Sequence, residues 1–399
     1  MKQSFPIIDK MLTVTLFLFA ASSMFSISIS QISAGLGGFL WLLRAYLTNT
    51  WKEQRWPLGV PILLFALASF VAVANAYDVS YSYSSLKKLL EFLIFFWVLN
   101  CVRENNLRNS LCLVLIASAT LAGLFGLYQY WQGFHLNSLS KITSLNRPEG
   151  NLSTYMTFAG LLMLVGVTAL ARVLFQKPMQ RWVCVSIGII SLCLFLTITR
   201  QAWFGFLTGS SFLIFYWRKK VLLLLPIILL ITYIASPLST QKRIKDMFSG
   251  EDVTFGMRVA LWKGGWEIFK DYPLTGCGFR CVDLVNSQYP DPTGYVARYR
   301  GMHNNLIQVA VDTGILGATA WLGIWFCFFR FLYHKAIDLG KNVFEHWSIF
   351  GSSAAVLAFL AAGFFETNFY DSEVAMVLYF IMALPFSGTQ NTTKATVKI

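Results

Sequence analysis

The stretch WVCVSIGIISLCLFLTIT (residues 182–199), then Arg200, then QAWFGFLTGSSFLIFYW (residues 201–217), decides the fold class. Each apolar run is close to the length at which a helix spans a hydrocarbon core about 30 Å thick. One arginine separates them, so the pair reads as a tight helical hairpin. On either side, further apolar runs fall at 11–29, 31–47, 57–76, 84–101, 109–131, 152–174, 220–236, 304–331, 347–366 and 373–387. The expectation is an all-α integral membrane protein with about twelve transmembrane helices. Only 13% of the 399 residues are charged, against about 25% in soluble domains. The first run is followed at once by a second, so it reads as a span and not as a signal peptide.

The net charge of +13 would suit nucleic acid if it formed one stripe. Instead Lys and Arg sit in alternate short segments: Arg44, Lys52 and Arg55; Arg172, Lys177 and Arg181; Arg218, Lys219 and Lys220; Arg330, Lys335 and Lys341. The intervening short segments carry Lys87, Lys88, Lys141, Arg147 and Arg200. That asymmetry is a topology signal and puts both termini on the cytoplasmic side. No nucleic-acid partner is expected; membrane lipid is.

The organisation is then three parts: spans 1–9 over residues 1–236, a large external loop over 237–303, and spans 10–12 with a tail over 304–399. Within the loop, Arg258 to Asp271 has helical spacing, with Trp262, Trp266 and Phe269 on one face and Lys263 paired with Glu267. It reads as an amphipathic helix lying in the interface with its Trp face toward lipid. Cys277 and Cys281 share this loop, where an oxidising compartment would allow a disulfide; spacing alone leaves the pairing open.

Few residues here can do chemistry. Arg200 is either an arginine snorkelling to the interface or a functional cation, because charge at such depth is costly. Arg258 is either a solvated charge or, at the start of a helix, part of an anion site. His303, in Met302-His303-Asn304-Asn305-Leu306, is either a polar cap or a proton acceptor. Glu91 reads as the acidic residue deep in a span. There is no DxD pair, no phosphate-binding loop and no Cys/His cluster, so no metal and no other cofactor is expected.

The order of motifs is more specific than any one of them. Arg147-Pro148-Glu149-Gly150-Asn151 comes first, then Thr197-Ile198-Thr199-Arg200 and Arg258-x-x-x-Trp262. Asp271-Tyr272-Pro273-Leu274-Thr275-Gly276-Cys277-Gly278 follows, then His303-Asn304-Asn305-Leu306-x-Gln308 and Asp312-Thr313-Gly314-Ile315-Leu316-Gly317. This series resembles the bacterial O-antigen ligase and polysaccharide polymerase superfamily. It departs at Asp312, where a longer acidic residue is common. The resemblance implies a GT-C-like fold in the bacterial inner membrane, with the loop periplasmic, and the chain acting as a monomer. It implies transfer of a glycan from undecaprenyl diphosphate to a sugar hydroxyl on lipid A–core, without metal. Arg200 and Arg258 would stabilise the diphosphate and His303 would be the base; Arg147, Arg300, Asn304 and Trp262 are further candidates for substrate contact. The rival within the family is a repeat-unit polymerase, whose acceptor is a second lipid-linked glycan. A transporter is the rival outside it.

Overall fold

The computed structural model describes residues 5–136, 147–235, 241, 245, 253–338 and 346–388. Among the described residues, thirteen helices carry the architecture: α1 (Pro6–Ser22), α2 (Ile27–Leu47), α3 (Gly59–Ala74), α4 (Phe92–Cys101), α5 (Asn105–Leu136), α6 (Tyr155–Phe175), α7 (Arg181–Leu196), α8 (Arg200–Arg218), α9 (Leu225–Ala235), α10 (Val253–Asp271), α11 (Asn305–Asp338), α12 (Trp347–Ala362) and α13 (Ser372–Ala383). Short helices fill the connections, and no strand occurs among the described residues. Residues 105–133, 155–175 and 305–337 are long and apolar enough to cross a membrane; α3, α7, α12 and residues 372–386 are shorter apolar helices. The sequence reading differs in detail. The first break falls at Ser23–Ser26, and the run 84–101 divides into a 3-10 segment, Ser84–Glu91, followed by α4.

Helix α6 lies at the centre, buried along most of its length from Phe158 to Ala171. Helices α8 and α12 pack on it and on each other. Their closeness follows from small residues. A Cβ on Gly205 would meet Ala358 O at 2.5 Å, and one on Gly209 would meet Ala354 O at 2.8 Å. Gly205-x-x-x-Gly209 against Ala354 and Ala358 is the small-residue packing that brings helix backbones together where the surroundings are apolar. The outward faces stay apolar as well: Val60, Leu63, Phe70, Leu223 and Ile231 are all more than half exposed. Water would not tolerate so continuous an apolar surface, whereas hydrocarbon does.

The segment after α10 folds on a helix break. Gly314 interrupts α11 with φ 63° and ψ −165°, leaving carbonyls and N–H groups without intrahelical partners. The segment Pro273–Gly278 supplies them. Cys277 N donates to Val311 O (3.0 Å), Gly278 N to Asp312 O (3.1 Å), and Ile315 N to Pro273 O (2.9 Å). Two backbones can approach this closely only without side chains. A Cβ on Gly314 would strike the Leu274 carbonyl, and one on Gly276 would strike the Asp312–Thr313 peptide. The glycines of that motif therefore build a joint, not a nucleotide loop. Asp312 is buried there and accepts from Gln308 Nε2 at 3.0 Å, so Glu91 is not the sole deep acidic group. Met257, Leu261, Ile268, Cys277, Cys281, Val296 and Val311 form a small core beside the joint, and Cys277 and Cys281 are disulfide-linked.

Helix α10 starts at Val253, earlier than its spacing suggested. Its buried face is Met257, Leu261, Gly264, Gly265 and Ile268. Trp266 and Phe269 stack on each other at 5.5 Å on the outer side, but Trp262 turns inward to Phe365. Glu267 pairs with Lys270 at 2.5 Å where Lys263 was expected. Lys141, Lys341, residues 1–4, most of 236–252 and the tail from 389 lie outside the described residues.

Candidate active site

Three separate turns deliver the cations. The first is the hairpin between α7 and α8. Thr197 Oγ1 donates to Leu194 O (2.7 Å), Trp203 Nε1 donates to the same carbonyl (3.1 Å), and Ile198 N closes on Phe195 O (3.2 Å). Ile198 is thereby held at φ 53°. A β-branched residue in that region is a genuine outlier, at a cost of about 1–3 kcal/mol. The strain leads directly into Arg200, the first residue of α8, whose guanidinium donates to Thr254 Oγ1 of α10.

The second turn is Arg147–Asn151. Gln129 holds it like a strand partner: its Oε1 accepts from Gly150 N (2.9 Å) and Glu149 N (3.2 Å), and its Nε2 donates to Gly150 O (2.8 Å). Gly150 has φ 63° and lies against the Phe158 ring. Arg147 is left over the face of Tyr155, 4.4 Å from the ring centre, an attraction of the cation–π kind.

The third cation, Arg258, is in the second turn of α10. The helix begins five residues earlier, so Arg258 does not stand beside the free N–H groups of a helix start; that part of the expectation is corrected, while the guanidinium itself still lines the cavity described below. Its Nε donates to Phe365 O at 2.9 Å, and the Phe365 ring rests on Trp262.

His303 precedes α11 with φ 45°. The two asparagines after it anchor the connection between α12 and α13. Asn304 Oδ1 caps Ile307 N (3.0 Å) while its Nδ2 donates to Phe364 O (3.1 Å). Asn305 donates from Nδ2 to Asn368 Oδ1 (2.6 Å) and accepts from Phe369 N (3.1 Å). The connection so held carries Glu366, and Glu366 Oε1 lies 3.0 Å from His303 Nδ1. Glu366 also accepts from Thr367 N (3.1 Å) and from Gln201 Nε2 of α8 (3.4 Å). With Nδ1 committed to a carboxylate, Nε2 is the ring nitrogen left for a substrate.

These parts close on one cavity of about 440 Å³, lined by Arg147, Arg200, Arg258, His303, Glu366 and Tyr299 among others. Four of the candidate residues, far apart in sequence, are thus brought together. Asn304 and Trp262 do not line it; Asn304 holds the backbone on either side of it, and Trp262 packs against the rings of Phe255 and Phe365. Arg300 does not line it either, and its Nε turns back to Ala297 O at 3.1 Å. Glu366 was missed. Its signal was an acidic residue at the outer end of an apolar run, hidden because the run was counted as a span through residue 366. Among the described residues no group of three or more His, Cys, Asp or Glu side chains is arranged to hold a metal ion.

Chemically, three guanidiniums against one carboxylate make a cavity for an anion of more than one charge. Arginine is suited to phosphate oxygens because its planar fork binds them bidentately and stays ionised. A histidine oriented by a carboxylate is the usual arrangement of a general base. No curated protein matches the chain. Residues 185–322, a stretch that holds Arg200, Arg258 and His303, match the family model described as O-Antigen ligase.

Proposed function

We propose that the chain is an O-antigen ligase that transfers a glycan from undecaprenyl diphosphate to a sugar hydroxyl of lipid A–core at the periplasmic face of the inner membrane. The observation that carries this is the convergence of Arg147, Arg200, Arg258 and the His303–Glu366 pair on one cavity. In the step, the bond between the anomeric carbon and the diphosphate oxygen breaks, and the diphosphate leaves with the electron pair. The acceptor oxygen bonds to the same carbon from the other side, and its proton passes to His303 Nε2. Negative charge grows on the leaving diphosphate as the reaction proceeds. Arg200 and Arg258, pre-set by Thr254 and the Phe365 carbonyl, stabilise it most at the transition state. Glu366 stabilises the imidazolium that forms. No protein nucleophile and no nucleotide sugar enter the scheme.

Twelve spans in a GT-C-like arrangement, with both termini cytoplasmic, fit the same reading. Arg55 and Arg108 donate to the carbonyls of Phe386 and Ser387 (2.9 and 3.2 Å), and Lys335 donates to that of Pro385. These cations gather at the far end of α13, away from the cavity, as a cytoplasmic end would require. The disulfide of the outer segment suits an oxidising compartment.

The test is product analysis of purified protein in lipid, given undecaprenyl-diphosphate glycan with and without lipid A–core. One glycan joined to lipid A–core supports the ligase. Lengthened lipid-linked glycan without lipid A–core replaces it with a repeat-unit polymerase, and no transfer in either mixture removes the enzyme reading.

A further inference from the structure

A second cavity, of about 340 Å³, adjoins the first. The two share Met156, Gln201 and Glu366 in their walls. Their chemistry differs. The first is lined by three arginines, and the second by none. In place of cations the second presents Thr154, Thr157, Thr367, Asn368 and the carboxylates of Glu366 and Asp371. Small side chains, Gly160, Ala202 and Ala362, keep the space open.

Asp371 is held firmly. Its Oδ2 accepts from Thr157 Oγ1 at 2.6 Å, and its Oδ1 caps α13 through Glu373 N (3.1 Å) and Val374 N (3.4 Å). Burial holds this carboxyl above its ordinary range against those hydrogen bonds. Lys88, whose charge reaches Asp371, bonds the Tyr370 carbonyl and does not line the cavity, so a diphosphate there would face two carboxylates and no lining cation. A neutral polyol would not be repelled by them. Its hydroxyls can donate to the carboxylates and exchange hydrogen bonds with the threonines and the amide.

We propose that this second cavity seats the acceptor, as the uncharged sugar whose hydroxyl crosses the Glu366–Gln201 wall to reach His303. The proposal rests on the transfer reading and assigns the acceptor its own compartment. The donor's diphosphate then occupies the cationic cavity alone. Glu366 stands at the junction, with one oxygen on His303 and the other toward Gln201.

Two variants test it. Ala202→Leu fills the second cavity from α8. Asp371→Asn removes a charge yet keeps an N-cap side chain for α13. Each is reconstituted in lipid, with binding of undecaprenyl diphosphate measured by titration. Transfer is then followed against the concentration of lipid A–core, or of a second lipid-linked glycan if that is the acceptor found. Both variants should raise the acceptor KM by about tenfold or more, the scale of one lost hydrogen bond to a charged group. The affinity for undecaprenyl diphosphate should stay within about twofold. An unchanged acceptor KM in a folded variant would overturn the proposal, as would an equal loss of diphosphate affinity. Failure of the unsubstituted protein to bind undecaprenyl diphosphate would remove the transfer reading itself, which is a separate result. Should Ala202→Leu not fold, Asp371→Asn still decides.

Discussion

The cationic cavity and the joint at Gly314 are neighbours built from one run of motifs, and they are opposite kinds of structure. In the cavity, side chains point into open space and the backbone behind them is strained, at Ile198 and His303. In the joint two backbones meet at glycines, and Val311 O, Asp312 O, Ile315 N and Leu316 N find partners across it. The first arrangement sacrifices stability to place charge, and the second restores it where a helix is broken. A motif series of this kind mixes residues that react with residues that hold the reacting ones, and only geometry sorts them. The sorting is testable, because cavity variants should lose turnover while still folding, and joint variants should lose stability while the molecules that fold keep turnover.

The largest effect is expected at His303. His303→Gln should lower transfer by about 10²- to 10⁴-fold, the usual contribution of a general base, with little change in thermal unfolding. Transfer within tenfold of the unsubstituted protein would put the base elsewhere and dissolve the contrast with the joint. Next come the arginines. Arg258→Gln and Arg200→Gln should each cost about 10²- to 10³-fold in turnover, the scale for removing one transition-state donor. Lysine at either position should recover only part, since it offers a point charge and no fork. Full recovery by lysine would show that charge alone matters there.

Gly314→Val tests the other side of the comparison. It forces a β-branched residue to φ 63° and drives its side chain into the Leu274 carbonyl. Strain and overpacking each cost about 1–3 kcal/mol. The expected result is a lower unfolding temperature in detergent, with transfer per folded molecule kept. A stable variant with lost transfer would mean that the joint shapes the chemistry directly. Glu366→Gln lies between the two regions. It keeps the shape and one acceptor oxygen but removes the charge that steadies imidazolium. Loss of a hydrogen bond to a charged group, worth about 1.5–3 kcal/mol, should lower turnover roughly ten- to a hundredfold and leave diphosphate affinity alone. A fall in affinity without a fall in turnover would make Glu366 a binding residue.

Much of this was legible in the sequence. Apolar run length marks helices because hydrocarbon thickness is fixed, so every expected span contains a helix. Arg200 and His303 stood out because an isolated charge or imidazole at the edge of an apolar run needs a reason to be there. Arg147 stood out only as part of a motif. What was not legible is proximity. Glu366 meets His303 across 63 residues, and no periodicity encodes that. Nor did spacing show that Asn304 faces backbone, and Trp262 the rings of Phe255 and Phe365, in place of substrate. The direction of Trp262 was misjudged because a Trp on an amphipathic helix is drawn equally to lipid and to a protein cleft, and the helix pattern is the same for both.

The smallest effect concerns how His303 is approached from the side of the segment 291–299. Asp291 opens the turn into the short helix Tyr295–Tyr299, whose last residue packs edge-on against the His303 ring at 6.1 Å. Its carboxylate accepts from Thr293 N (2.9 Å), Tyr295 N (3.3 Å), Val296 N (2.9 Å) and the Thr293 hydroxyl. Burial alone would push this carboxyl up, but those hydrogen bonds outweigh it and hold it below its ordinary value of 3.8. A lowered acid stabilises the folded turn while it is ionised. That contribution is therefore complete above the ordinary value and fades as pH falls below 3.8 and through the lower folded value. The turn is largely exposed, so solvent screens the effect. Amide exchange at residues 295–299 should quicken in that acid range, while exchange in α6 stays slow. Asp291→Asn should exchange faster at neutral pH and lose the acid dependence. The same acid response in the variant would mean that another carboxylate controls the turn, and that the approach to His303 is set from the joint side.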